Sequence, residues 1–316
     1  MKVFVTGVCG QLGYDVMNEL NRRGHEGVGS DVSPAYSGMQ NGSAISAMRY
    51  VSLDITDAKA VHDTIAQIQP DAVIHCAGWT AVDAAEEEDK QDLVWNINVN
   101  GTKYIADACK KWNSKMVYLS TDYVFSGIGE APWKPDCKEY AAQNFYGRSK
   151  LHGEWTVCET LDQFFVVRTA WVFGLNGMNF VKTMLELGKK YDTLRVVCDQ
   201  IGTPTYTKDL ARLLVDIVQT EKYGYYHATN EGGYISWYDF ACEIFRQAEM
   251  ETRVVPVTTA EYGQSRAARP LNSRLDKSKL TDCGFVPLPD WRDALSRYLA
   301  EMGQQKNECG KGMEIR

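Results

Sequence analysis

Met1-Lys-Val-Phe-Val-Thr6, followed at once by Gly7-Val-Cys-Gly10-Gln-Leu-Gly13, is the stretch that decides the fold. The first six residues read as a short buried strand, and a helical pattern runs on to about Arg23. Strand, glycine turn and helix in that order are the context in which this spacing binds a dinucleotide. Gly7 permits the tight turn, Gly10 lets a pyrophosphate approach the backbone, and Gly13 lets helix and strand pack closely. The residues that follow, Gln11 and Leu12 among them, open a helix whose N-terminus offers free N–H groups and a positive dipole end. An ordinary glycine-rich turn has the same composition, so the reading leans on the clean strand just before it. A second strand, Glu26 to Ser30, ends at Asp31. A carboxylate there accepts hydrogen bonds from an adenosine ribose and repels a ribose phosphate, which favours NADH without excluding NADPH.

Strands and helices go on alternating. Strand Tyr50–Leu53, helix Asp57–Ile68 and strand Ala72–His75 precede one long helix from about Glu86 to Trp112. Strand Lys115–Ser120, a helix carrying Tyr146 and Lys150, and strand Phe164–Arg168 complete the series. Such alternation predicts an α/β fold with a doubly wound parallel Rossmann-type sheet. Pro34 to Met48, rich in Ser, Gly and Ala, reads as a loop beside the adenine end of the cofactor. After about Phe173 the pattern becomes irregular, with helices near 179–190, 207–220, 236–248 and 290–302. The expected organisation is a dinucleotide-binding domain over residues 1–173 and a smaller C-terminal substrate-binding lobe over 174–302. Gly224–Ala228 is expected to return to the main sheet, and 303–316 to form a flexible tail.

The chemistry is concentrated in Asn144-Phe-Tyr-Gly-Arg-Ser-Lys150. A Tyr and a Lys four residues apart share one face of a helix. A phenol titrates near ~10, and an ammonium held close would bring it toward working pH, making Tyr146 a usable proton donor. Standing alone, such a pair is an ordinary helix surface. Met116-Val-Tyr-Leu-Ser-Thr121-Asp-Tyr-Val-Phe125 adds an apolar strand that ends in hydroxyl residues. Ligands bind at the carboxyl ends of strands in parallel sheets, where Thr121 could donate to a substrate carbonyl. A cap or turn role is the competing reading of Thr121.

Together these residues resemble the short-chain dehydrogenase/reductase superfamily, in its extended branch that acts on nucleotide sugars. Ser120-Thr-Asp-Tyr-Val-Phe125, Thr80-Ala-Val-Asp83, Arg168-Thr-Ala-Trp-Val172, Asn179-Phe-Val-Lys-Thr-Met184, Asp199-Gln-Ile-Gly-Thr-Pro204 and Arg269-Pro-Leu-Asn-Ser-Arg274 resemble the dTDP-4-dehydrorhamnose reductase family, in order, from residue 1 to about 300. The resemblance implies NAD(P)H-dependent reduction of the 4-keto group of dTDP-4-dehydro-L-rhamnose. Tyr146 would protonate the forming alkoxide, Lys150 would hold the nicotinamide ribose, and Thr121 would polarise the keto oxygen. It also implies cofactor contacts from Asp54 and Ile55 after the third strand, and from Ala77, Gly78 and Trp79 after the fourth. Trp79 departs from the pattern, since some family members carry His there. Asp122 and Trp171 match substrate-side positions, Trp171 having core packing as its competing reading. Arg269 and Arg274, with Arg266 nearby, could clamp a diphosphate by forked hydrogen bonds, or form a solvated basic loop.

The 316 residues are 44% hydrophobic and 24% charged, enough for two lobes with a substantial core. A net charge of −7 gives nucleic acid no foothold. No apolar run approaches the ~18 residues of a membrane span, and no leader is expected before a strand that begins at Met1. Nine scattered cysteines without metal spacing suit a reducing cytoplasm. Some members of the family form dimers bridged by Mg²⁺ between acidic residues. Asp15 could supply one ligand here, but Lys208 and Arg212 fall where two further acids should be, and Asp209 is turned about 100° away. A monomer without a metal is therefore expected. Two rivals stay open: a nucleotide-sugar epimerase or dehydratase on the same fold, and a non-catalytic dinucleotide-binding subunit resembling the regulatory subunit of methionine adenosyltransferase. Tyr123, where dehydratases place an acid, argues against dehydration.

Overall fold

In the β1 strand, Lys2–Thr6, side chains alternate between two buried faces. Val3 and Val5 enter one apolar cluster and Phe4 another, all three fully buried. A strand sealed on both sides belongs inside a parallel sheet covered by helices. The computed structural model, which describes residues 1–39, 48–263 and 265–311 (side chains only to 304), has that architecture. Part of the loop expected over 34–48 lies outside the described residues.

After β1 come α1 (Gln11–Arg22), β2 (Glu26–Asp31), β3 (Arg49–Ser52), α2 (Ala58–Ile68) and β4 (Ala72–His75). Then follow α3 (Glu88–Trp95), α4 (Thr102–Trp112), β5 (Lys115–Thr121), α5 (Phe145–Thr160) and β6 (Phe164–Thr169). The strands pair in the order β3-β2-β1-β4-β5-β6, with Gly224–His227 added beyond β6, and every pairing is parallel. The chain order reverses between β1 and β4, the switch point where such sheets bind ligands. On one face α1 packs with helix Thr207–Val218; on the other lie α2, α4 and α5.

The single helix expected from Glu86 to Trp112 is instead interrupted. Asn96–Gly101 forms a π-helical segment between α3 and α4. Gly101 rests against Ile55, where a Cβ would come within 2.9 Å of its side chain. Asn98 is drawn inward by side-chain hydrogen bonds to the backbone of Trp79 and to Ser149. A π turn inserts a residue into the helical repeat and re-aims what it carries, here toward the sheet edge.

A second core gathers Phe173, Tyr206, Phe240, Trp291 and Tyr298 from the C-terminal half of the chain. The last helix, Trp291–Lys311, runs past the expected end at Met302. Arg168 on β6 and Glu154 on α5 form a fully buried bidentate pair at 2.7 and 2.8 Å, and Arg168 also donates to the Pro135 carbonyl and Tyr140 hydroxyl. Removing either partner would strand a charge in the core, so this pair locks α5 to the sheet. Among the described residues no helix is long and apolar enough to cross a membrane.

Candidate active site

The carboxyl edge of the sheet opens into a cleft of about 970 Å³. At its head lies the glycine turn. Gly7 has φ +73°, and a Cβ there would come within 2.6 Å of the Ala77 nitrogen. A Cβ on Gly13 would meet the Gly7 carbonyl at 2.3 Å, so helix and strand touch only because both residues lack side chains. Gly10 caps α1 without a side-chain acceptor, which leaves the first N–H groups of the helix to a ligand. Asp31 accepts from Cys9 N–H at 2.9 Å and Val32 N–H at 2.8 Å, which ties its carboxylate to the turn. The hydroxyls of Ser30 and Ser120, buried and unbonded to other described residues, line the same cleft. Gln11, Leu12, Asp54, Ile55, Ala77 and Gly78 border it as well. Free N–H groups, close-approach glycines and buried hydroxyls fit a dinucleotide.

The α5 helix starts at Asn144, whose Oδ1 accepts from Gly147 N–H at 2.7 Å. A side chain at 147 would strike the Tyr123 carbonyl at 2.4 Å, so this first turn lies hard against the end of β5. Tyr146, Lys150, Thr121 and Asp122 consequently face one cleft. Thr121 donates to Asp122 Oδ1 at 3.0 Å and accepts from Tyr123 N–H at 3.2 Å. The expectation that Lys150 draws the phenol's pKa down does not hold in this geometry. Burial, then the Asp122 charge, pushes Tyr146 well up, and the neighbouring Thr121 hydroxyl offsets only part. The group drawn toward neutrality is Lys150, lowered by burial to about 7. Burial also raises Asp122 to about 6. A raised phenol stays protonated at neutral pH, the form a proton donor needs.

Beneath these groups runs a directional chain of hydrogen bonds. Ala77 N–H donates to Thr6 Oγ1, which faces His75 Nδ1 at 2.7 Å; His75 Nε2 faces Thr102 Oγ1 at 3.2 Å, and Thr102 donates to the Asn98 carbonyl. Because the Thr102 proton is used on Asn98, His75 must donate from Nε2 and accept at Nδ1. Burial, followed by the Lys150 charge, lowers its pKa to about 3, so it stays neutral. The glycine-turn side of the cleft and the π segment are thereby held in one register.

On the opposite wall, Arg269 donates to Tyr123 Oη at 3.1 Å and to Asp83 Oδ2 at 2.5 Å. Asp83 also accepts from Ala267 N–H and the Ser265 hydroxyl, so the Thr80–Asp83 motif acts as a clasp for the arginine segment. Trp171 lines the cleft at φ +52°, a conformation rare for a bulky residue. Its ring rests over Gly202, where a Cβ would lie 3.0 Å away, and it stacks on Trp237 at 3.8 Å and 15°. Arg274 and Trp79 do not line the cleft: Arg274 donates to Asn272 Oδ1, and the Trp79 indole to the Ala81 carbonyl.

The family described as RmlD substrate binding domain matches residues 1–304. The dTDP-4-dehydrorhamnose reductase of Streptomyces griseus is 39% identical over 92% of this chain and 91% of its own. The spore coat polysaccharide biosynthesis protein SpsK of Bacillus subtilis is 37% identical over 95% and 97%. The chain belongs to the RmlD family of dTDP-4-dehydrorhamnose reductases. A solved dTDP-4-dehydrorhamnose reductase from Bacillus anthracis, in complex with NADP, superposes with a TM-score of 0.85 at 38% identity, covering 95% of this chain and 99% of that one.

Within this RmlD-family chain, the positions weighed for a bridging metal have other partners. Asp15 accepts from the Thr207 hydroxyl, and burial raises its pKa to about 7. Lys208 pairs with Glu301, Arg212 donates to the Val286 and Pro287 carbonyls, and Asp209 is held by Arg297 and Asn230. Among the described residues no group of three or more His, Cys, Asp or Glu could hold a metal ion. Asn98, Tyr123 and Trp237 were not singled out from sequence as site residues. Only the Asn/Gly-rich run Asn96–Gly101 hinted at the first, and nothing in the sequence pairs Trp237 with Trp171.

Proposed function

We propose that this chain reduces the 4-keto group of dTDP-4-dehydro-L-rhamnose to give dTDP-L-rhamnose, with NADH preferred over NADPH. The observation that carries the reading is the convergence of Tyr146, Lys150, Thr121 and the glycine turn on one cleft. The nicotinamide, when bound, supplies the hydride. Gly7, Gly10, Gln11, Leu12 and Gly13 hold the pyrophosphate side, Asp31 the adenosine ribose, and Lys150 the nicotinamide ribose. Asp54, Ile55, Ala77, Gly78 and the Trp79 backbone border the rest of the dinucleotide. Thr121, turning its proton from Asp122, donates to the keto oxygen, and Tyr146 releases its proton to that oxygen as negative charge builds on it. Arg269, pre-aimed by Asp83 and Tyr123, receives the diphosphate, and the Trp171–Trp237 stack offers a flat wall to the sugar or base. Arg274 supports the arginine segment through Asn272. The enzyme acts in the cytoplasm as a monomer without a bound metal.

The test follows an isotope. With NADH deuterated at its reactive carbon, NMR should find the label at carbon 4 of the product sugar. Label at another carbon, or none in the product, would refute the assignment.

A further inference from the structure

Lys150 is only 7% exposed, yet among the described residues its ammonium has neither a hydrogen bond nor an ion pair. The nearest carboxylate on its own helix, Glu154, is committed to Arg168 through two short bonds. What Lys150 does have is an aromatic face: Nζ lies 4.2 Å from the centroid of the Tyr118 ring. A ring quadrupole attracts a cation at that distance, most strongly where water is excluded.

Tyr118 is held for this task from several sides. It is fully buried on β5, and its hydroxyl donates to the Lys150 carbonyl at 3.3 Å. Gly153 leaves room for that hydroxyl, since a Cβ there would stand 2.1 Å from it. His75 lies nearly parallel to the ring at 6.0 Å and 27°, fixed in turn by Thr6 and Thr102. Above the ring, the ammonium points to the cleft beside Gly78, where a Cβ would come within 3.8 Å of Nζ.

We infer that Tyr118 is a positioning residue for the reaction: its ring face seats the Lys150 ammonium and aims it at the cofactor side of the cleft. The inference rests on the reading that Lys150 meets the cofactor, and it adds what keeps a buried lysine charged there. The groups facing Lys150 are Glu154 on α5, His75 and Cys76 at the end of β4, Tyr118 on β5 and the neutral Asn98 of the π segment. Cys76 is protonated, its pKa raised by burial to about 12, and His75 is neutral. Glu154 is matched by Arg168, which leaves the ring as the uncommitted source of attraction.

The experiment measures NADH affinity by nicotinamide fluorescence from pH 6 to 9. It compares wild type with Tyr118→Phe, Tyr118→Leu and a variant carrying 3,4,5-trifluorophenylalanine at 118. Fluorines drain the ring face while barely changing its shape. In wild type, affinity should fall as Lys150 loses its proton. Phe keeps the face and should keep that basic limb within about twofold of wild type. In the trifluoro and Leu variants the limb should move down by about half a pH unit or more, a loss of about threefold at the alkaline end. A structural role alone would lower affinity equally at every pH, and would not separate Phe from its fluorinated form. Coincident limbs for those two variants, or a wild-type affinity flat across the range, would overturn the inference. Because the readout is binding, a protein that binds NADH in this way but reduces no sugar would count against the proposed reaction alone.

Discussion

Burial raises the pKa of the Tyr146 phenol, and its proposed role as proton donor is tested by one substitution. Tyr146→Phe keeps the ring and its edge-on contact with Tyr123, 5.8 Å between centroids, and removes only the hydroxyl. Turnover should fall by roughly 10²–10⁴ with NADH affinity unchanged. Steady-state rates and a binding titration on the same preparation check this, and near wild-type turnover would remove Tyr146 from the mechanism. Asp31 carries the second prediction at this scale. Both its oxygens are tied to backbone N–H groups, so Asp31→Asn keeps one acceptor for the turn and removes the charge. The kcat/KM ratio of NADPH to NADH should rise about tenfold, about 1.4 kcal/mol of relieved repulsion. A wild-type preference for NADPH, or an unchanged ratio, would contradict the account. That Gly7, Gly10, Gly13, Tyr146 and Lys150 would share one cleft was legible in the sequence because their spacing mirrors local geometry: one tight turn and one turn of helix. The direction of the Tyr146 shift was not, because it depends on burial assembled from distant segments.

At the scale of elements, periodicity located most strands and helices but missed the π segment. Its cause is tertiary: Asn98 leaves the regular ladder to bond Trp79 and Ser149, contacts that no local pattern encodes. The α1 helix and helix Thr207–Val218 show a similar dependence on partners far apart in sequence. Asp15 on α1 bonds Thr207, and burial raises its pKa from 3.8 to about 7. The folded state therefore binds more protons than the unfolded chain between about pH 4 and 7, and stability from this group is lost as pH rises through that window. Asp15→Asn removes the dependence. The variant should gain little at pH 4 and about 2 kcal/mol at pH 8, a figure that discounts the full shift for a weakened Thr207 bond. Denaturant unfolding at the two pH values measures it, and equal differences at both would show that Asp15 does not titrate as described.

For the whole molecule, residues far along the chain reach back to the glycine turn. Asn176 donates to the Cys9 and Gly10 carbonyls at 2.8 and 3.2 Å, and Asn179 donates to Gln11 Oε1 at 3.0 Å. The sequence after Phe173 showed an irregular region with its own helices. Its grip on the turn was not legible there, since those partners lie 166 to 168 residues apart. Asp15, Lys208 and Arg212 already have partners in Thr207, Glu301 and the Val286 and Pro287 carbonyls, which predicts a monomer whose mass by light scattering is unchanged by EDTA. A dimer that dissociates on chelation, with activity falling in parallel, would contradict that. If the proposed reaction is right, the cleft consumes reduced cofactor in step with its sugar. Purified protein should be given dTDP-4-dehydro-L-rhamnose and a known amount of NADH, with cofactor loss followed by absorbance and product by chromatography. One NADH should disappear for each dTDP-L-rhamnose formed. Product accumulating at constant NADH would mark an epimerase or dehydratase that recycles its cofactor, and NADH bound without any product would mark a non-catalytic subunit.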